Sequence, residues 1–116
     1  LSLNEMYQVA NSYPKGSYDF VNVFDIAVRM NPNDEVANLN AAAVSLTKKD
    51  LENAIKYMDK ANHQTAEFIN NVGVYNFLNG DVQRAVAAFN QAAQMGNEAA
   101  KANLQQLQQI LNMKKK

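Results

Sequence analysis

His63 is the single histidine of the chain, and there is no cysteine to serve as a thiolate nucleophile or zinc ligand beside it. It stands in Asn62-His63-Gln64-Thr65, between two helical patterns and without an H-E-x-x-H or related spacing, so it reads as a surface turn residue. The serines at 2, 12, 17 and 45 would need a base to become nucleophiles. A Ser-His-Asp unit would have to rest on His63, with no motif around it, and Ser2 and Ser17 read as helix caps. Glu52 with Asp59, or Glu67 with Asp81, could form carboxylate pairs for acid-base work. They read better as helix-start charges and solvated faces, because acids favour helix N-termini. Gly73 and Gly80 are isolated, so no glycine-rich loop cradles a phosphate. These residues predict neither an enzyme nor a cofactor or metal protein.

Eleven basic residues balance eleven acidic ones, which argues against a nucleic-acid partner, since such surfaces carry a basic excess. The short tail Lys114-Lys115-Lys116 favours the helix dipole and solubility and is too small for a nucleic-acid or lipid signal. No run approaches the roughly 18 apolar residues of a membrane span, so no direct membrane insertion is expected. At 116 residues the chain fits one domain with a real core. Residue 1 is Leu, which reads as an excised or processed piece of a longer protein.

The elements that must position any site are helices, because no sustained period-2 alternation of β-branched residues occurs. Ser2-Leu3-Asn4-Glu5 has capping-box form, and Met6, Val9, Ala10 and Tyr13 continue at helical spacing to Pro14-Lys15-Gly16. Ser17 then caps a second helix carrying Phe20, Val21, Phe24, Ala27, Val28 and Met30, which Asn31-Pro32-Asn33-Asp34 ends. A third runs from about Glu35 to Thr47, rich in small residues. After the turn Lys48-Lys49-Asp50, a fourth places Leu51, Ala54, Ile55, Met58 and Ala61 on one face. The fifth spans Ala66 to Leu78. A glycine inside it costs about 1 kcal/mol against alanine, so Gly73 signals a close helix crossing. The sixth begins after Asn79-Gly80-Asp81. The seventh, about Glu98 to Met113, buries Ala99, Ala102 or Ala100, Leu104, Leu107 and Leu111 while its glutamines face out. The five methionines, Met6, Met30, Met58, Met95 and Met113, fall at core spacing and are expected to fill the interior.

Three of these helices are copies of one another. Phe24, Met58 and Phe89 form a row of large residues, and Ala27, Ala61 and Ala92 follow three places later, 34 and 31 residues apart. Ala54 and Ala85 agree, Lys49-Asp50-Leu51 is in register with Gly80-Asp81-Val82, and Ala42 and Gly73 share the close-packing place. The run from Ile69 to Asp81, with Ala85, Phe89 and Ala92, resembles the tetratricopeptide repeat, a helix-turn-helix unit of about 34 residues. The middle copy has Asn38 where that family usually has a bulky aromatic, and the first has Tyr7 and Gln8 in the usual leucine and glycine places. Residues 92–100 also resemble the related Sel1-like repeat. The resemblance implies an all-α solenoid of three hairpins, at about 1–33, 34–64 and 65–97, with a capping helix at 98–113. Each hairpin leaves an apolar face that only a neighbour covers.

Such repeats bind protein or peptide partners in a groove lined by the first helix of each hairpin. The matching positions are Ser2, Glu5, Val9 and Ser12, then Val36, Leu39, Ala43 and Leu46, then Glu67, Asn70, Val74 and Phe77, with Asn40 and Asn71 alongside. Asparagine amides both donate and accept, which suits them to holding a peptide backbone. The family's clamp for a C-terminal carboxylate uses lysine and asparagine, and Glu5, Val9, Leu39 and Ala43 in those places leave it out. Val36, Leu39, Leu46 and Phe77 also fit a second reading, as core or as residues covered by the seventh helix. The function implied is a non-catalytic binding scaffold; the alternative is a self-association module. Residues 3–7, 23–30 and 36–42 are similar to the C-terminal repeats of Bacteroidales cell-envelope proteins that carry an OmpA-like or uncharacterised domain upstream. That similarity implies a periplasmic or outer-membrane-associated parent.

Overall fold

The structure is a computed structural model that describes the backbone of residues 18–114 and the side chains of 23–113. The predicted helix at 3–13, the cap at Ser17, and Glu5 and Val9 lie outside the described residues. Within them the chain is all-helical, without strands. Six helices follow in order: α1 (Tyr18–Met30), α2 (Glu35–Thr47), α3 (Leu51–Lys60), α4 (Ala66–Leu78), α5 (Val82–Gln94) and α6 (Glu98–Lys114). None is long and apolar enough to cross a membrane.

Local side-chain chemistry sets these boundaries. Asp34, Asp50, Thr65 and Asp81 each stand just before a helix and accept a hydrogen bond from the backbone N–H three residues on. Asn97 does the same for Ala100, at 2.8 Å. Each bond satisfies a donor that the first turn would otherwise leave orphaned, worth about 1 kcal/mol. The helix ends are equally regular. Asp50 N–H donates to Ser45 C=O and Lys49 N–H to Leu46 C=O, and Asp81 and Gly80 repeat the pair on Asn76 and Phe77. Asn97 and Gly96 repeat it on Ala92 and Ala93. In all three turns the residue after the last turn adopts positive φ, 61° at Lys49, 85° at Gly80 and 94° at Gly96. This is a Schellman ending in which the residue that closes one helix caps the next.

The chain divides into two units, Leu1–Asn62 and His63–Lys116. In the first, α1 packs on α2 and α2 on α3. Val28, Ala37 and Ala41 form a buried cluster against which half-buried Tyr57 packs. Phe24, Ala27, Ala42, Leu46, Ala54, Met58 and Ala61 are buried as well. In the second unit α4 packs on α5 and α5 on α6. Ala85, Phe89, Ala92, Ala100 and Leu107 make its core, flanked by Ile69, Val74, Val82, Leu104 and Leu111.

The large-residue row and the alanine row are buried in all three copies. Gly73 does sit at a close crossing: a Cβ placed on it would lie 2.5 Å from Cδ1 and Cε1 of Phe89. Three expectations need correction. Among the described residues only Met58 is a core methionine; Met30, Met95 and Met113 are exposed at 59%, 48% and 75%, and Met6 lies outside the described residues. Their spacing is helical, yet no neighbouring element among the described residues covers them. Ile55, expected beside Ala54 and Met58, is exposed for the same reason, since α3 buries only one narrow side. In α6 the apolar side passes through Ala100 and Leu107, leaving Ala99 and Ala102 exposed.

Candidate functional site

The predicted groove residues fall on α2 and α4, one helix in each unit. On α2, Leu39 and Asn40 are half-buried and Ala43 is exposed; Val36 is exposed, whereas Leu46 is core. On α4, Glu67 and Phe77 are exposed, Asn70 and Val74 half-buried, and Asn71 buried. The register explains the spread. Residues 67, 70, 74 and 77 follow the three-and-four spacing of one helical stripe, while Asn71 lies one step round toward the interior.

Helix α6 comes onto this α4 stripe. Asn103 Nδ2 donates to Asn70 Oδ1 at 3.1 Å, so the Asn70 acceptor is held within the protein. Beside that bond lies an open cleft of about 170 Å³, lined by Val74 and Phe77 of α4, Phe89 of α5, and Asn103, Leu107 and Ile110 of α6. The cleft is apolar apart from the amides of Asn103 and Gln106. Phe77 and Ile110 are each about two-fifths exposed at its mouth, 42% and 41%. Single exposed apolar residues are ordinary, but two large ones flanking an apolar depression form a surface suited to a partner's side chain.

The chemically suggestive residues of the sequence take structural places. His63 occupies the turn before α4, exposed, and its ring stacks on Phe68 with centroids 4.3 Å apart and planes 13° from parallel. Among the described residues no group of three His, Asp or Glu side chains is placed to hold a metal ion. Asp81 caps α5 and also lies 3.4 Å from Arg84; Glu52 reaches Lys56 at 3.8 Å. Both pairs are exposed and of the kind worth well under about 1 kcal/mol. Ser45 is buried in α2, and the serines at 2, 12 and 17 lie outside the described residues. Asp50 accepts from the Asn53 side-chain amide at 2.7 Å and from the Asn53 backbone N–H at 3.2 Å. These bonds, the side-chain one foremost, hold its carboxyl below the ordinary carboxylate value, since they favour the charged form.

Sequence reasoning missed a buried polar residue in the first unit. Among the described residues Asn38 is the largest side chain to be fully buried, 1% exposed. Its Nδ2 donates to Pro32 C=O at 3.0 Å and to Asp34 C=O at 2.8 Å, tying the α1/α2 loop to α2. Its Oδ1 is buried and accepts no hydrogen bond. Rotating the amide would turn that oxygen toward two carbonyl oxygens, so its orientation is fixed. Leaving such an acceptor unpaired costs about 1–3 kcal/mol. Asn38 lines a cleft of about 260 Å³ that also has Val28, Pro32 and Tyr57 in its wall. Three cations, Arg29, Lys56 and Lys60, rim the cleft; Arg29 is paired with Asp25 at 3.0 Å and Lys56 with Glu52 at 3.8 Å. The signal in the sequence was the polar residue at a place where the repeat pattern has a large apolar one. Comparison of the chain with protein-family models and with curated proteins gives no match.

Proposed function

We propose that this chain is a non-catalytic scaffold that binds a protein or peptide segment on the α4/α6 face of its second unit, in the manner of a tetratricopeptide-like groove. The observation that carries this reading is the open apolar cleft between Val74, Phe77, Leu107 and Ile110, with the Asn103 and Gln106 amides at its edge. Such a depression takes one or two apolar side chains of a partner while the amides hold its backbone. The repeat register supports it. α2, α4 and α6 begin at Glu35, Ala66 and Glu98, steps of 31 and 32 residues, so α6 occupies the place of a further first helix.

The test is capture of partners from native extract by the wild-type chain and by Phe77→Asp and Ile110→Asp variants. Both residues are exposed, so folding should survive, as circular dichroism would show. Loss of specific partners in both variants is expected; the same captured set in all three would sink the proposal. Asn70 and Asn71 are unsuitable probes, since one is bonded to Asn103 and the other is buried.

A second reading, self-association, draws on Ile110 and Met113, which leave an apolar stretch uncovered on the last helix. Sedimentation across a concentration series separates the two. Dimerisation in the micromolar range that Met113→Lys abolishes would favour assembly. The resemblance to envelope repeats extends the proposal to a periplasmic or outer-membrane-associated parent, which cell fractionation of that parent would check.

A further inference from the structure

We infer that the occupant of the α4/α6 cleft is a second copy of this chain, related to the first by a two-fold axis that passes beside Ile110. The inference rests on the α4/α6 face being a binding surface and names what binds there. On α6, Asn103, Gln106, Ile110 and Met113 follow one another at steps of three, four and three residues, the spacing of a seam between paired helices. The seam is open: Gln106 is exposed, as are Ile110 at 41% and Met113 at 75%. Beside it lies the cleft walled by Val74, Phe77 and Leu107. One face thus carries both a projecting apolar pair and a depression to receive it. A two-fold contact requires this, because each patch must meet its own image.

Charge selects the occupant. No residue from Phe68 to Leu78 on α4, or from Ala102 to Met113 on α6, is charged, whereas α3 carries Glu52, Lys56, Asp59 and Lys60 within its 10 residues. An acidic or basic partner finds nothing to pair with on such a face. A second copy meets no like charge there and buries none. The polar residues of the seam are amides, which both donate and accept, so identical faces can satisfy each other where identical lysines or glutamates would repel. Aromatic residues and methionine with few charges are also the composition of an interface core. With the two α6 helices antiparallel and Ile110 on the axis, the place three residues on, Met113, faces the place three residues back, Leu107, in the other copy. Met113 then enters the other copy's cleft against Phe77, and its flexible thioether adapts to the open depression. A peptide segment uses the same cleft and binds by displacing the second copy.

Sedimentation of the wild-type chain over a concentration series should show a reversible dimer. Two further tests locate the contact. The chain has no cysteine, so Ile110→Cys introduces a single thiol. With oxidised glutathione it should couple two copies roughly tenfold faster than Gln108→Cys, exposed on the opposite side of α6, because association raises the effective concentration of one thiol near the other. Ile110→Glu and Ile110→Lys should each weaken dimerisation roughly tenfold or more by setting like charges across the axis, and mixing the two variants should restore it. The substituted position is exposed, and circular dichroism reports the fold of each variant. A wild-type monomer at every concentration, equal coupling rates for Ile110→Cys and Gln108→Cys, an undiminished dimer in Ile110→Glu, or no recovery on mixing would each overturn the inference. If the wild type stays monomeric and Phe77→Asp still loses captured partners, this inference falls while the reading of the α4/α6 face as a binding surface stands.

Discussion

The hairpin of α2 and α3 and the hairpin of α4 and α5 stand 31 residues apart in the chain and share caps, turn and alanine positions, yet they close on different terms. In the later hairpin Gly73 gives up its side chain and the Phe89 ring fills the space, so close that a single Cβ would meet it at 2.5 Å. In the earlier hairpin the same two places hold Ala42 and Met58, a larger residue opposite a more flexible one, both buried. Ile69 packs against the core of the second unit, where Asn38 in the first spends its buried position on two loop carbonyls. The turn differs as well: Gly80 takes its positive φ without cost, whereas Lys49 carries a side chain through the same conformation. The later copy is built for packing. The earlier one trades packing for polar anchoring, and its cleft of about 260 Å³ lies beside that trade.

The largest effect should come from filling the crossing. Gly73→Leu is expected to destabilise the second unit by about 3 kcal/mol through overpacking against Phe89, read by urea unfolding. Gly73→Ala should cost about 1–3 kcal/mol, and adding Phe89→Met, which copies the Ala42 and Met58 pair, should recover most of that loss. If the double variant is no better than Gly73→Ala, the two crossings are not equivalent solutions of one packing problem.

Next in size is the exchange at the polar place. Ile69→Asn should cost about 2 kcal/mol, since it strips apolar contact from a half-buried position packed against the core. A neutral result would mean that the repeat tolerates asparagine there without an anchor.

The turns give a smaller and opposite pair. Gly80→Lys should lower thermal stability by about 1 kcal/mol, because a side chain at φ 85° is strained. Lys49→Gly should raise it, by less, since glycine relieves the strain but adds freedom to the unfolded chain. Matching signs in the two melting curves would contradict the comparison.

The smallest effect is electrostatic. Asn53→Ala removes the leading cause of the lowered Asp50 carboxyl pKa, so its midpoint in an NMR titration should move up toward the ordinary value. A carboxyl held low in the folded state stabilises it above the unfolded pKa and loses that contribution as pH falls through the folded value. The wild type should therefore lose more stability than Asn53→Ala across the acid range, and an unmoved midpoint would show the backbone bond acting alone.

All six described helices were legible from residue types, to within a residue or two. The segments ending in Asp34, Asp50, Thr65 and Asp81 mark the starts and turns, while the cap at Asn97 and the turn at Gly96 come from the structure. These signals are readable because each hydrogen bond involved closes within a few residues. Burial was most legible along the alanine and large-residue rows, whose repetition reveals a shared partner, and Val28 and Leu107 are buried as their spacing predicts. Met30, Met95, Met113 and Ile55 carried the same spacing and went uncovered. Of the residues assigned to a groove, Val74 and Phe77 border a cleft, whereas Asn70 is taken by Asn103, 33 residues on, and Asn71 turns inward.

By itself, then, the sequence determined the helices, their caps and the 31-residue register, because those depend on interactions local to a turn. Only the tertiary structure decided which apolar faces receive a neighbour, that Gly73 is small on account of the Phe89 ring, and that Asn38 ends with an acceptor it cannot satisfy. Those outcomes depend on which element arrives at a surface, and spacing along one helix does not encode its neighbour.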